Sequence, residues 1–193
     1  MARRLDWRWI GGGIAAGLGL LALGPGGGYA TLTAGPAQQG AILVQAQKWG
    51  AIFGVPADWI LAIAKVESDW RPGAKNLTSA GDVKRGGAWG SMQVTLSTAT
   101  GLAPSLRAHS NAQVRAAAAS WDGTGPGLLD VSLGVLFGTA LLGKLKAEFN
   151  EFGLVAAAYN RGAGGVRKML AANKDPRGVA YAVKAEAARE AIA

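Results

Sequence analysis

Apolar residues recur at helical spacing from about residue 38 onward, and this pattern predicts a helical domain. The apolar positions of the first predicted helix are Ile42, Leu43, Ala46, Trp49, Ile52 and Phe53. Gly54-Val55-Pro56 then interrupts the pattern, and its proline favours a second helix that starts there. The apolar positions of this second helix are Trp59, Ile60, Ala62, Ile63 and Val66. They run directly into Glu67, and a carboxylate at the end of a mostly buried helix is unusual.

The rest of the chain predicts further helices joined by loops. Residues 71–90 are rich in Gly, Lys and Asn and show little periodicity, which is typical of a loop. A long helical pattern covers 128–152, a shorter one covers 154–159, and Asp175-Pro176 favours a final helix that reaches the C-terminus. Because no convincing run alternates polar and apolar residues, the predicted fold class is mainly α, with any sheet small.

One stretch, residues 104–127, departs from these patterns. It starts with a proline, contains a run of mostly alanine, and closes with the turn-like Gly125-Pro126-Gly127. We predict that this stretch is a surface insertion or lid, which either contacts the substrate or serves only as a spacer.

Charged residues are missing from the segment 9–47, which directly follows a basic start. Residues 10–23 within it form a continuous apolar, glycine-rich run, which is the layout of a signal peptide or a membrane anchor. We expect the segment to be retained, and to lie in a membrane or assemble with other chains, with its basic end in the cytoplasm. The predicted organisation is a leader or anchor over 1–37, a helical domain over 38–174 and a C-terminal helix over 175–193.

Composition narrows the possible chemistry. The 193 residues include no Cys and a single His, His109, which excludes thiol nucleophiles, disulfides and the paired imidazoles of most catalytic zinc sites. We therefore predict no metal and no cofactor. The formal net charge of +8 favours an anionic partner, such as nucleic acid, an acidic membrane surface or an acidic polymer of the bacterial cell wall. Nucleic acid ranks last, because the charges are scattered and the sequence has no basic helix face or recognisable motif.

Four short segments in the last two-thirds of the chain carry a family resemblance. They are Glu67-Ser68-Asp69-Trp70-Arg71-Pro72-Gly73-Ala74, Gly87-Ala88-Trp89-Gly90-Ser91-Met92-Gln93, Asp130-Val131-Ser132-Leu133-Gly134 and Ala158-Tyr159-Asn160-Arg161-Gly162. In order and spacing they resemble four motif segments of the lytic transglycosylases related to goose-type lysozyme. Ser91, Asp130 and Arg161 stand where that family has Leu, Asn and Ala. The resemblance covers about residues 40–172 and implies a lysozyme-like helical domain that acts on peptidoglycan.

Glu67 is the candidate catalytic residue. Cleaving a glycosidic bond requires a proton on the leaving oxygen, and a carboxylic acid holds one near neutral pH only if burial raises its pKa. Most glycosidases also use a second carboxylate, but neither Asp69 nor Asp82 lies at a motif-like position beside Glu67. In the family that the chain resembles, one carboxylate suffices. There the muramyl C6 hydroxyl attacks the anomeric carbon, the glutamate acts first as acid and then as base, and the product ends in a 1,6-anhydro ring.

The resemblance also implies a set of substrate-binding residues. They are Ser68, Gly90, Met92, Gln93, Tyr159 and Asn160. By this resemblance Ser68 orients Glu67 through a hydrogen bond, while Met92 and Gln93 line the saccharide cleft. The turn at Gly90 lets the sugar approach the backbone, and the Tyr159-Asn160 pair contacts the sugar beside the cleaved bond or positions Glu67.

Two alternatives remain open. A lysozyme would hydrolyse the same bond with water and use Asp82 as its second carboxylate. A structural or pore-forming component of a phage ejection or secretion apparatus would instead assemble through the glycine-rich segment. The expected partners are peptidoglycan glycan strands, a membrane through residues 9–35, and other copies of the chain or a phage or secretion assembly. We expect the protein in the cell envelope, anchored in the inner membrane and facing the periplasm, or alternatively in a phage virion.

Overall fold

The computed structural model of the protein describes residues 35–78 and 86–192. Eight α-helices account for most of these residues, as the predicted mainly α fold class requires. They are α1 Pro36–Phe53, α2 Ala57–Ser68, α3 Leu96–Arg107, α4 Ala112–Ser120, α5 Val131–Phe149, α6 Phe152–Arg161, α7 Ala163–Ala171 and α8 Ala180–Glu190. Short 3-10 helices cover Pro126–Leu129 and Pro176–Gly178. Residues 1–34 of the predicted leader over 1–37, together with Asp82, lie outside the described residues, whereas Pro36 and Ala37 already belong to α1.

Helix α5 forms the centre of the fold, because its side chains are buried along most of its length. The carboxylate of Asp130 caps its start by accepting a hydrogen bond from the backbone N–H of Leu133 at 2.9 Å. Helix α1 packs across it, and the indole of Trp49 donates to the carbonyl of Ser132 at 3.1 Å. The observed helix is shorter than the one predicted over 128–152. It begins after its N-cap, Asp130, and ends before Asn150, whose backbone lies in the left-handed region.

The prediction of a surface insertion or lid over 104–127 is wrong. Pro104 lies within α3, and the alanine run forms α4, whose N-cap Asn111 accepts hydrogen bonds from two backbone N–H groups. Several apolar side chains of the stretch belong to the core: Leu106, Val114, Ala118 and Trp121. The ring of Trp121 packs edge-on against Phe137 of α5, with 4.8 Å between centroids. Alanine has the highest helix propensity, so this run forms a helix whose small buried face fits closely against α5.

A small antiparallel sheet interrupts the helices of the described residues. Its three strands, β1 Lys75–Asn76, β2 Ala88–Trp89 and β3 Val94–Thr95, lie in that order. Trp89 pairs with Lys75 on one side and with Val94 on the other. Part of the predicted loop 71–90 is therefore strand, although each strand is only two residues long. The tight turn between β2 and β3 brings residues 90–93 beside the end of α2.

The last helix, α8, packs against α2 and α6 and so is part of the helical core. Its inward side chains are Tyr181, Ala182 and Ala185, all of them buried. Arg189 extends over the ring of Phe152, which in turn packs against Trp59 of α2 at 5.1 Å between centroids. The end of α8 thus lies near the start of α2, while its first turn places Tyr181 beside Glu67 at the other end of α2. None of the helices that the structure describes is both long and apolar enough to cross a bilayer.

Candidate active site

Glu67 lies in the last turn of α2, one residue before the helix ends. It is only partly exposed, and the residues of the turn before it, Ile63 and Ala64, are completely buried. Burial disfavours the charged carboxylate and raises the pKa of Glu67 from 4.5 to about 7, although a hydrogen bond from Tyr181 opposes this shift. A carboxyl group with this pKa can hold a proton near neutral pH and can also release it.

Tyr181 of α8 orients the Glu67 carboxyl group. Its phenol donates a hydrogen bond of 2.6 Å to Oε1 of Glu67, and its ring is buried. The other oxygen, Oε2, has no hydrogen-bond partner among the residues that the structure describes. Burial and then the negative charge of Glu67 raise the pKa of Tyr181 well above 10, so the phenol stays a donor. The carboxyl group therefore has one oxygen fixed by the protein and one available to a ligand.

Tyr159 and Asn160, at the end of α6, have different environments. The buried Tyr159 donates from its hydroxyl to the carbonyl of Met92 at 2.8 Å and so ties α6 to the turn after β2. Burial, and after it the negative charge of Glu67, raises the pKa of Tyr159 well above 10, so this phenol also stays a donor. Asn160 is partly exposed, and its amide makes no hydrogen bond within the described parts of the chain. Of the two residues, Asn160 has the side chain that is free to bind a sugar.

Ser68 does not make the expected hydrogen bond to Glu67. Its buried hydroxyl donates to the carbonyls of Ser91 at 2.8 Å and Ala64 at 3.2 Å, and it accepts from the backbone N–H of Arg71 at 3.0 Å. The hydroxyl has a single proton, which the two carbonyls share, so none is left to donate to Glu67. Ser68 therefore fixes the end of α2 against the turn at 90–93, and any effect on Glu67 passes through the backbone.

Met92 and Gly90 also differ from their expected roles. The Met92 side chain is completely buried against the Cα of Gly138, so it does not line an open cleft. Gly90 has a φ of +77°, and a Cβ at this position would overlap the carbonyl oxygen of Leu128. The lack of a side chain at Gly90 thus permits a close approach of protein backbone, where a close approach of sugar was expected.

Gln93 keeps a position in which it can bind a ligand. Its side-chain nitrogen donates to the carbonyls of Gly90 at 2.9 Å and Ala74 at 3.2 Å, which fixes the amide plane. Its side-chain oxygen has no partner within the described residues, and the residue is partly exposed. The backbone of Gln93 has a φ of +49°, a conformation that costs a non-glycine residue about 1–2 kcal/mol. Strain of this kind is typical of residues held in place for a function.

No second carboxylate contributes to the pKa of Glu67 in the described residues, since burial and Tyr181 are its two causes. Asp69 caps α2 in the left-handed region and pairs with Lys65. His109 accepts a hydrogen bond from the backbone of Asn111 and packs against Phe53. Within residues 35–78 and 86–192, His, Cys, Asp and Glu form no cluster of three that could hold a metal.

Tyr181 is the residue of this site that sequence reasoning missed. It lies in an alanine-rich helix with no recognised motif, 114 positions from Glu67. Only one sequence feature could have indicated its role. Tyr181 is the single aromatic residue in a helix whose other apolar side chains are mostly alanine.

A comparison with protein families found a match to this chain. The family model described as transglycosylase SLT domain matches residues 45–181, which is more than half of the chain. The matched range starts within α1 and ends at Tyr181, so it includes every residue of the site described above. Comparison with curated proteins gave no match.

Proposed function

This chain belongs to the transglycosylase SLT domain family, and from that premise we propose that Glu67 is the acid and base with which it cleaves peptidoglycan. The family implies lytic transglycosylase activity on this polymer. The bond to be cleaved is the β-1,4 bond between N-acetylmuramic acid and N-acetylglucosamine. The observation that carries the proposal is a partly buried carboxyl group with a pKa of about 7 and one free oxygen.

In the first step Glu67 donates its proton to the glycosidic oxygen. Because Tyr181 donates to Oε1, the proton of the acid form resides on Oε2, the oxygen without a protein partner. Transfer of this proton lets the bond between C1 of the muramyl residue and the leaving oxygen break, and positive charge develops at C1. The carboxylate that remains is close to this charge and stabilises it.

In the second step the muramyl C6 hydroxyl attacks C1 of the same residue. Glu67, now ionised, accepts the hydroxyl proton and returns to its acid form, so that protons balance over the cycle. The product is a 1,6-anhydromuramyl end, and no water is consumed. A single carboxylate is sufficient for this route, and the pKa of Glu67 carries no contribution from another acid among the described residues.

Two amide groups near Glu67 are suited to bind the sugar. Gln93 offers its side-chain oxygen as an acceptor, and Asn160 offers a complete amide. Sugar hydroxyls and N-acetyl groups match both, because they donate and accept hydrogen bonds. The same site is supported from within the protein by residues that fix α6 and the turn at 90–93. They are Tyr159, Ser68, Gly90 and Met92.

Residues 9–35 supply the cellular context that we propose. Their lack of charge behind a basic start is typical of a segment that inserts in a membrane, and it favours tethering at the inner membrane with the enzyme in the periplasm. Such an enzyme would open the wall locally for envelope remodelling, secretion or phage genome entry. Cell fractionation of the full chain and of a chain that lacks residues 9–35 tests this placement, which fails if both behave as soluble proteins.

The activity itself is tested by Glu67→Gln, which keeps the size of the side chain and its hydrogen bond from Tyr181. We expect digestion of purified peptidoglycan to fall by about 10²-fold to 10⁴-fold, the usual contribution of a general acid. The control is Glu190→Gln, which removes the same charge from an exposed site on α8. Undiminished digestion by the Glu67 variant would refute the proposal.

A further inference from the structure

Arg161 differs from the other arginines that the structure describes. Six of them donate hydrogen bonds to backbone carbonyls or to carboxylates: Arg71, Arg107, Arg115, Arg167, Arg177 and Arg189. The guanidinium of Arg161 is exposed and has neither a hydrogen bond nor an ion pair in the described residues. Its five donors are therefore available to a ligand.

Arg161 also lies at the end of the helix that approaches Glu67. It is the last residue of α6 and directly follows Asn160, whose amide is likewise free. Two residues earlier, Tyr159 donates to the carbonyl of Met92, and the neighbouring carbonyl of Ser91 accepts from Ser68, the residue that follows Glu67. The chain turns sharply after Arg161, because Gly162 has a φ of +75° and ends the helix. Arg161 is thus exposed where α6 ends, next to Asn160 in the chain.

We propose that Arg161 binds a carboxylate on the C3 substituent of the muramyl residue, an inference that rests on the proposed function. Peptidoglycan carries such carboxylates in two forms. Where the stem peptide is present, they belong to that peptide, and where it has been removed, the lactyl group itself ends in a carboxylate. A guanidinium binds either form through two parallel hydrogen bonds, which a neutral side chain such as Ala cannot supply.

A purely structural role makes a different prediction. A cation in the last turn of α6 also interacts favourably with the helix dipole, so its removal would lower stability without regard to substrate. Arg167 provides the matched control, because it is an exposed arginine six residues further on whose guanidinium already pairs with Glu148 at 2.8 Å. Arg161→Ala and Arg167→Ala remove the same charge, but only the first removes a free guanidinium.

Three preparations of glycan strands test the proposal. One keeps its stem peptides, a second has been stripped of them by an amidase, and a third has been stripped and its lactyl carboxylates converted to neutral methylamides. Binding is measured with Glu67→Gln proteins, so that strands are not consumed, and cleavage is measured with Glu67 intact. Thermal unfolding of each variant reports changes in stability.

With carboxylate-bearing strands, we expect Arg161→Ala to weaken binding and slow cleavage by about fivefold to tenfold, the effect of losing one charge-assisted contact. Arg161→Lys should recover part of the loss, because it restores charge without the paired donors. Arg167→Ala should change both quantities by less than about twofold, as exposed pairs do. With the neutral strands all variants should match the parent protein.

The pattern of loss identifies the source of the carboxylate. A loss confined to stem-bearing strands assigns it to the peptide, and a loss confined to stripped strands assigns it to the lactyl group. An equal loss on neutral strands, or no loss on any strand, overturns the proposal. If the strands bind through Arg161 but are not cleaved, the proposed activity fails while this inference stands, and absence of binding by all the proteins overturns both.

Discussion

The phenol of Tyr181 donates a hydrogen bond of 2.6 Å to Oε1 of Glu67, which joins the last helix of the fold to the end of α2. The contact fixes one carboxyl oxygen and leaves the other free for the substrate. It also stabilises the ionised form of Glu67, while burial favours the protonated form. The pKa of about 7 is the balance of the two effects, with burial the larger.

Tyr181→Phe should shift the pH dependence of cleavage. The hydrogen bond lowers the pKa of Glu67, so its removal raises that pKa and keeps the carboxyl group protonated to higher pH. Since the first step needs the acid form, the alkaline limb of the kcat profile should move to higher pH. The measurement is cleavage of peptidoglycan between pH 5 and pH 9.

Tyr159→Phe is the control for this shift. Tyr159 donates to the carbonyl of Met92 and does not contribute to the pKa of Glu67. Its loss should lower stability by about 1–3 kcal/mol, the effect of leaving a buried carbonyl unpaired, without moving the alkaline limb. If the limb stays in place in the Tyr181 variant, or moves in both variants equally, Tyr181 does not set the pKa of the catalytic acid.

Glu67→Gln should stabilise the protein at alkaline pH. The pKa of Glu67 is about 7 in the folded state and about 4.5 in the unfolded chain, so the folded state binds more protons between these values. Stability therefore falls as pH rises from about 4.5 to 7, and the loss reaches at most about 3 kcal/mol above pH 7. Urea unfolding should find the variant more stable than wild type at pH 8 by up to this amount.

Below pH 4 the ionisation of Glu67 no longer matters, so this advantage of the Gln variant should disappear. Glu190→Gln removes an exposed carboxylate and should change stability by less than about 0.5 kcal/mol at either pH. Equal stability of the wild type and the Glu67 variant at pH 8 would contradict the claim that burial makes the ionised form of Glu67 unfavourable in the folded state.

Gly90→Ala should destabilise the fold more than the same change at Gly123. Both glycines have positive φ, +77° and +82°, which costs alanine about 1–2 kcal/mol. A Cβ at Gly123 meets open space, whereas one at Gly90 overlaps the carbonyl oxygen of Leu128. We expect a loss of about 1 kcal/mol at Gly123 and about 3 kcal/mol or more at Gly90 by urea unfolding. Similar losses at the two positions would show that Leu128 does not require glycine there.

The sequence was most informative where a local pattern decides local structure. The apolar stripe before Glu67 and the proline at position 56 predicted α2, and its last turn holds the partly buried carboxyl group. The small sheet agrees with the lack of alternating runs, because its strands are only two residues long. The family resemblance, which rests on four short segments, agrees with the matched family.

The predictions failed where contacts between segments distant in the sequence determine the position of a side chain. Tyr181 meets Glu67 only because α8 packs against α2, and no local motif signals that contact. The alanines of α4 looked like a spacer, but small side chains allow a helix to pack closely in a core. Ser68 was expected to orient Glu67 and Met92 to line the cleft, whereas the Ser68 hydroxyl donates to backbone carbonyls and the Met92 side chain is buried.

The central claim is that Glu67 acts alone, with the muramyl C6 hydroxyl as the nucleophile. Its most direct test is digestion of purified peptidoglycan in water enriched in the heavy isotope of oxygen, followed by mass spectrometry of the muropeptides. We predict 1,6-anhydromuramyl ends that contain no heavy oxygen, and their absence from a digest with the Glu67→Gln variant. Reducing ends that carry the heavy isotope would contradict this account and would show that water, activated by a second group, attacks the bond.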